Sequence, residues 1–275
     1  MKSLRSRRVF ILGFAVVLLG YGTSFAGGFS LPSWPFVKEY KAVQPVKKEC
    51  VVPQQEKKAF TLPFEKGEQL KFKVNYKGLS MGTSILTFRG PVDLNGQAVY
   101  SITFNTAMPL VKDKEILYAD TKTFLPVRVE RDISRAGAFP LKISEQYDQD
   151  HFKIDITKKG NIAKSRMTIQ KACAINNAIL LSYFYRSLPE IEKQGEYAVT
   201  LPTADFKVVY KGKEFVKTAL GELHAYVFTS IPAKFKLWIS ADARRIPLKI
   251  ENPGTLGYSL EIKSIEYVPE ERSSK

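Results

Sequence analysis

Residues 236 to 254, KLWISADARRIPLKIENPG, gather Trp238, Asp242, Arg244 and Arg245 into one short window. A carboxylate beside two guanidinium groups could form an active-site triplet, so this is the first place to look for chemistry. Elsewhere the groups that catalysis needs do not fall into working arrangements. A Ser or Cys nucleophile needs a base in reach, yet His151 sits beside the turn DQD and His224 lies inside a strand-like run, with no G-x-S-x-G elbow near either. Two Cys and two His without ligand-like spacing support no metal site. No Gly-rich loop follows a strand and opens a helix, so nucleotide chemistry has no cradle and no cofactor is expected. Paired carboxylates for glycoside chemistry stay open, because Asp and Glu are plentiful and their separation in space is not written in the sequence. An enzyme is therefore the least favoured class.

The window is also not unique. Residues 118 to 130, YADTKTFLPVRVE, repeat its plan: an aromatic, then Asp120, then Pro126 followed by Val-Arg-Val-Glu, matching Trp238, Asp242, and Pro247 followed by Leu-Lys-Ile-Glu. An Asp after a strand closes a tight turn through its carboxylate, and Pro is best tolerated where a strand begins. Each copy reads as strand, Asp turn, Pro, strand. Gly82 and Gly221 precede the two copies in similar hairpins and suit a turn or bulge position.

The elements that hold these hairpins follow from a period of two. In EQLKFKVNYK, residues 68 to 77, Leu70, Phe72, Val74 and Tyr76 alternate with polar neighbours, placing four apolar side chains on one face of a strand. The same alternation returns around Ile154, Val199, Val208, Leu237 and Leu260, with turn signals such as Lys77-Gly78 and Asn95-Gly96 between the runs. About ten to fourteen strands joined by short turns imply an antiparallel meander. NNAILLSYFYRSLPEI, residues 176 to 191, breaks the rhythm, with Asn176 or Asn177 as N-cap, Pro189 as stop and Leu180, Leu181, Phe184 and Leu188 at helical spacing. One helix cannot cover so much sheet. The fold class is mainly β, a meander curled into a barrel or half-barrel with one main helix at its mouth or inside; the alternative is a β-sandwich.

At the N-terminus, Lys2, Arg5, Arg7 and Arg8 precede the apolar run from Val9 to Gly20, and Ser24-Phe25-Ala26 offers small residues for cleavage. This reads as a signal peptide over 1–26, cut after Ala26, with an uncleaved N-terminal anchor as the alternative. Export to the periplasm follows, and removal takes four positive charges, so +15 becomes 15 − 4 = +11. A basic exported protein favours anionic envelope surfaces over nucleic acid, and peripheral membrane contact fits, though Lys and Glu interspersed along the chain fit a merely solvated surface equally well. Residues 27–59 form a Pro- and Lys-rich linker or arm carrying Trp34, Phe36 and Tyr40. A single β domain over 60–268 and a flexible tail over 269–275 complete the chain. Cys50 and Cys173 form one bridge or remain two separate thiols.

The signal peptide, YKGLSMGTSILTF, LLSYFYRSLP and LWISADARRIPLKIE together resemble a family of exported bacterial proteins catalogued as domain of unknown function 3108, over roughly Phe60 to Val268. The hairpin style is also similar to that of the periplasmic lipoprotein carriers LolA and LolB and of the sensor RseB. That likeness implies an incomplete barrel wrapped over helices around an apolar cavity, although this sequence shows one clear helix where the carriers have several.

The favoured function is a non-enzymatic periplasmic protein that binds an apolar or amphipathic, lipid-like ligand in a curved β cavity. Candidate lining residues are Phe72, Tyr76, Phe88, Tyr183, Phe184, Phe235 and Trp238. Arg186, a charge on an apolar helix, either snorkels to solvent or meets a buried acid, and Arg244 and Arg245 are candidates for a basic rim. The alternative is an envelope assembly or interaction factor that engages another envelope protein through the arm and the sheet edges.

Overall fold

A computed structural model describes residues 62–161, 163–193, 195–252 and 258–268. The expected signal peptide, arm and tail, and Cys50 with them, lie outside the described residues. Strict alternation sets the first strand, β1 (Glu68–Tyr76), whose Leu70, Phe72 and Val74 are fully buried. The meander continues through β2 (Leu79–Leu94), β3 (Gln97–Met108), β4 (Val111–Asp120), β5 (Pro126–Arg135), β6 (Leu141–Asp148), β7 (Lys153–Lys159) and β8 (Lys164–Gln170). After helix α1 (Leu180–Ser187) come β9 (Glu196–Thr200), β10 (Asp205–Thr218), β11 (Gly221–Ile231), β12 (Lys236–Ser240), β13 (Pro247–Asn252) and β14 (Tyr258–Tyr267).

All fourteen described strands form one sheet in the order β8-β7-β6-β5-β4-β3-β2-β1-β14-β13-β12-β11-β10-β9, every pairing antiparallel. Pairing of β1 with β14 joins the two runs of the meander, and β8 and β9 end the order unpaired to one another. The sheet is therefore curled and open, a half-barrel rather than a closed barrel or two packed sheets. The β1–β2 pair slips register beside Gly82, whose φ is +156° and where a Cβ would stand 2.1 Å from the Ala107 carbonyl oxygen. Only glycine lets β2 approach β3 so closely there.

Helix α1 fills the hollow of the curl. It is shorter than the sequence predicts, because Asn177 Oδ1 accepts the N–H groups of Ile179 (2.9 Å) and Leu180 (3.4 Å), and Leu188 is already extended ahead of Pro189. Its two faces serve two cores. Leu180 and Tyr183 join the larger one, drawn mostly from β1 to β7 and also from β11 to β14, with Tyr183 against Phe64 (centroids 4.9 Å) and Phe88 (5.8 Å). Leu181, Tyr185 and Leu188, at i, i+4 and i+7, join the core built on β9 to β12, with Tyr185 against Phe228 (4.8 Å). A helix apolar on both flanks is what a half-barrel demands and what a surface helix lacks.

The two Asp–Pro hairpins are built alike. In the first, Asp120 Oδ1 accepts the N–H of Lys122 and Thr123, and the Asp120 N–H donates to the Leu125 carbonyl. In the second, Asp242 Oδ1 accepts the Arg245 N–H (3.3 Å), and the Ser240 N–H donates to the Ile246 carbonyl (2.8 Å). Two residues before each Pro the backbone turns left-handed, at Phe124 (φ 55°) and Arg245 (φ 49°). Both turn residues reach α1: Phe124 stacks on Tyr183, and Arg245 donates to the carbonyls of Arg186, Leu188 and Pro189 at the end of the helix. The repeated motif is a pair of clamps, one packed on a side chain of the helix and the other bonded to its C-terminal end.

Candidate functional site

Between the first turn of α1 and the concave sheet lies a cavity of about 490 Å³. Phe72, Leu86, Phe104, Leu237 and Leu260 form its floor, Ile179, Leu181 and Ser182 of the helix its side, and Leu201, Ala204, Phe206 and Phe235 its outer wall. Phe104 on β3 and Phe206 on β10 stand seven places apart in the strand order yet line the same space, which measures how far the sheet curls. Polar groups cluster at the mouth: exposed Thr203 and Lys234, with half-buried Glu251 and Asn252. The helix itself offers no free donor here, since Ser182 Oγ donates to the Ile179 carbonyl (2.8 Å). A deep apolar interior with a polar mouth suits an amphipathic guest.

Of the predicted lining residues the cavity brings together Phe72 and Phe235. Phe88 and Tyr183 sit instead in the aromatic cluster of Phe64, Tyr100 and Phe124, packed where the helix meets β2 and β3. Phe184 packs edge-on against Tyr185 and Tyr197. Tyr76, half-buried, lies at the end of β1 paired with Tyr258 and is not among the cavity-lining residues. Trp238 points away from Leu237 by strand alternation; its indole N–H donates to Glu214, and Lys236 and Lys249 lie over its ring at 4.2 and 5.2 Å.

Arg186 meets a buried acid. Its guanidinium makes a two-pronged pair with Glu68 of β1 at 2.6 and 2.8 Å, both side chains at most 1% exposed, and it lies 4.5 Å over the Phe64 ring. It also donates to the Arg244 carbonyl (3.2 Å). The predicted basic rim is likewise engaged: Arg244 pairs with Asp242 (2.6 Å) and Arg245 caps the helix. Neither arginine lines the cavity, so the cation at its mouth is Lys234. Cys173 is disulfide-bonded, and Cys50, the other cysteine of the sequence, lies outside the described residues. His151 pairs with Asp148 inside the exposed β6–β7 turn, and His224 packs its ring on Phe215. Among the described residues no group of three or more His, Cys, Asp or Glu is placed to hold a metal ion.

Residues 71–263 match the family described as Protein of unknown function (DUF3108). The chain belongs to that family. No curated protein matches it. Among solved structures it is similar to a β-barrel-like protein of domain of unknown function DUF1849 from Brucella abortus, at 7% identity and TM-score 0.47 over 74% of this chain and 98% of that one. A protein described as exported, with a YmcC-like fold, from Bacteroides fragilis is similar at 9% identity and TM-score 0.26, over 75% and 99% of the two chains.

One feature of this DUF3108 chain escaped the sequence reading. Asp113 and Glu115 on β4, Arg131 on β5 and Glu145 on β6 are buried together on the concave face. Arg131 Nε donates to Asp113 (2.9 Å) and stands 3.4 Å from Glu115, while the Tyr147 hydroxyl donates to Glu145 (2.6 Å). With Asp113 holding the guanidinium, Glu115 is left short of compensation, and its Oε2 has no hydrogen-bond partner among the described residues. Burial first, then the charges of Asp113 and Glu145, push its carboxyl up to about 8 against the opposing pull of Arg131. Burial, then the charges of Glu115 and Asp113, also raise the phenol of Tyr258, a residue that lines the cavity. The charged cluster therefore stands close behind the cavity wall. The signal was present: Asp113 and Glu115 share the phase of Val111, Leu117 and Ala119, so alternation alone puts them inside.

Proposed function

We propose that this protein is a non-enzymatic carrier or binding protein of the bacterial envelope, which holds an apolar or amphipathic, lipid-like ligand between α1 and the concave sheet. The observation that carries this reading is the cavity itself: about 490 Å³, inside the range of roughly 300–1,000 Å³ typical of small-molecule sites, and apolar over its floor and walls. The acyl part of the ligand occupies the space between Phe72, Phe104, Leu237 and Phe206, and its polar end lies at Thr203, Lys234 and Asn252. The helix side of the site is held by the Arg186–Glu68 pair and by Arg245, which explains charged residues that bind no ligand.

Export supports an envelope setting and rests on the basic start, apolar run and Ser24-Phe25-Ala26 of the sequence. No described helix is long and apolar enough to cross a membrane. The test is direct: protein recovered from cells without detergent is extracted with organic solvent and the extract examined by mass spectrometry. Stoichiometric lipid supports the reading. Protein that carries none and takes up none from added fatty acid or phospholipid contradicts it.

A further inference from the structure

Strand parity sorts the hairpin turns of the sheet onto its two edges, and the edges differ in chemistry. On one edge lie the turns after β2, β4, β6, β10 and β12. Asp carboxylates close most of these: Asp93 accepts from Gly96, Asp120 from Thr123, Asp148 from His151 and Asp242 from Arg245. The opposite edge carries the turns after β1, β3, β5, β7, β9 and β11, and their sequences KG, PL, AGAFP, GNIA, LPTA and PAKF contain no acid.

Instead this second edge displays large apolar side chains at its tips. Leu79 is 68% exposed, Phe139 65%, Ile231 51% and Leu110 45%. Turn geometry does not require them, since Gly78 and Gly137 supply the left-handed positions beside Leu79 and Phe139. Two of these turns are neighbours: the Ala136 N–H donates to the Leu110 carbonyl (2.9 Å), joining the β3–β4 and β5–β6 turns. Exposed Lys77, Lys142, Lys159 and Lys234 lie in or within two residues of these turns. The cavity opens on this edge, because Leu201, Thr203 and Ala204 of one turn and Ala233, Lys234 and Phe235 of another line it.

We propose that this edge docks on the surface of an anionic lipid bilayer, the four apolar tips entering the headgroup layer while the lysines meet lipid phosphates, so that the cavity mouth faces the membrane. The commitment to lipid comes from charge complementarity: the turns that carry the apolar tips hold lysines and no acid of their own, and of the acids beside them Asp132 and Asp205 are paired with Lys142 and Lys171. The proposal stands on the edge alone, and an empty cavity would leave it intact.

Tryptophan placed at a tip reports contact locally, whatever residues 1–26 contribute. Phe139→Trp and, on the opposite edge, Phe215→Trp (native Phe215 64% exposed) are made in the full chain and read as difference fluorescence against the parent. Vesicles of phosphatidylethanolamine and phosphatidylglycerol with brominated acyl chains should quench residue 139 and spare residue 215. Vesicles of brominated phosphatidylcholine alone should quench residue 139 far less. The double variant Leu79→Ser/Phe139→Ser, whose melting should match the parent, should lose roughly tenfold in partitioning to the anionic vesicles. Absence of quenching at residue 139, equal quenching at residue 215, or equal quenching by neutral vesicles overturns the proposal, including the case in which the edge serves a protein partner.

Discussion

Glu115→Gln tests the buried charge cluster. Glu115 is 2% exposed and its carboxyl is raised from 4.5 to about 8, so the folded protein holds a proton there that the unfolded chain gives up above about pH 4.5. The folded state then binds more protons than the unfolded one between those values, and stability must fall as pH rises. The contribution is full below the unfolded value and is lost through the folded one. Linkage over that interval gives a loss of about 4 kcal/mol between pH 5 and 9, of which about 1 kcal/mol falls between pH 7 and 9. Glutamine is neutral throughout and removes this slope, while any cost of its amide beside Arg131 is a constant offset. Urea unfolding of both proteins at pH 5, 7 and 9 isolates the difference, because Asp113, Glu145, Arg131 and every other group are common to both. The curves should converge as pH rises, with Glu115→Gln gaining on the parent by roughly the amounts above. Parallel curves would refute a protonated Glu115, and a variant that loses most at pH 9 would show it ionised and bound to Arg131.

Three further outcomes follow from the clamps on the helix and from the cysteines. Arg186→Met leaves Glu68 buried without its partner and should cost about 3–5 kcal/mol by chemical denaturation, with much of that recovered when Glu68→Leu is added; an unchanged midpoint in the single variant would remove the latch from the account. Arg244→Gln should melt with the parent, since its pair with Asp242 is exposed, whereas Arg245→Gln should lose about 1–2 kcal/mol as carbonyls at the helix end lose their donor; equal melting of the two variants counts against the clamp. Thiol titration of the unfolded, unreduced protein should find no free cysteine, and reduction should lower stability by up to about 5 kcal/mol for so long a loop; two reactive thiols would exclude a bridge between Cys50 and Cys173.

The sheet was legible because its signal is local. Alternation in residues 68 to 77 sets which face of β1 is buried, and repetition of the Asp–Pro hairpin fixes two of the turns in detail. The helix was legible in place though not in length, because Asn177 and Leu188 decide its ends through backbone bonds that periodicity does not encode. The site was harder. Strands from both ends of the order contribute aromatics to one concave face, so whether Phe88 or Phe235 borders open space depends on what packs opposite: Tyr183 fills the space beside Phe88, whereas Phe235 faces a gap above the first turn of the helix. Arg245 looked like surface charge because its partners are main-chain carbonyls of a helix about 57 residues earlier, which no side-chain pattern marks. Glu115, by contrast, could have been found from its phase alone.

The central claim is that the space above Phe72 and Phe104 is a binding site, and filling it is the most direct test. Ala204 lines the cavity from the loop between β9 and β10, where a larger side chain can enter without displacing a strand. A fluorescent fatty-acid analogue titrated into the parent and into Ala204→Trp should bind the parent saturably at one site and the variant at least roughly tenfold more weakly, with the variant melting as the parent does. Equal affinity in a folded variant, or no saturable binding to the parent, would contradict the account.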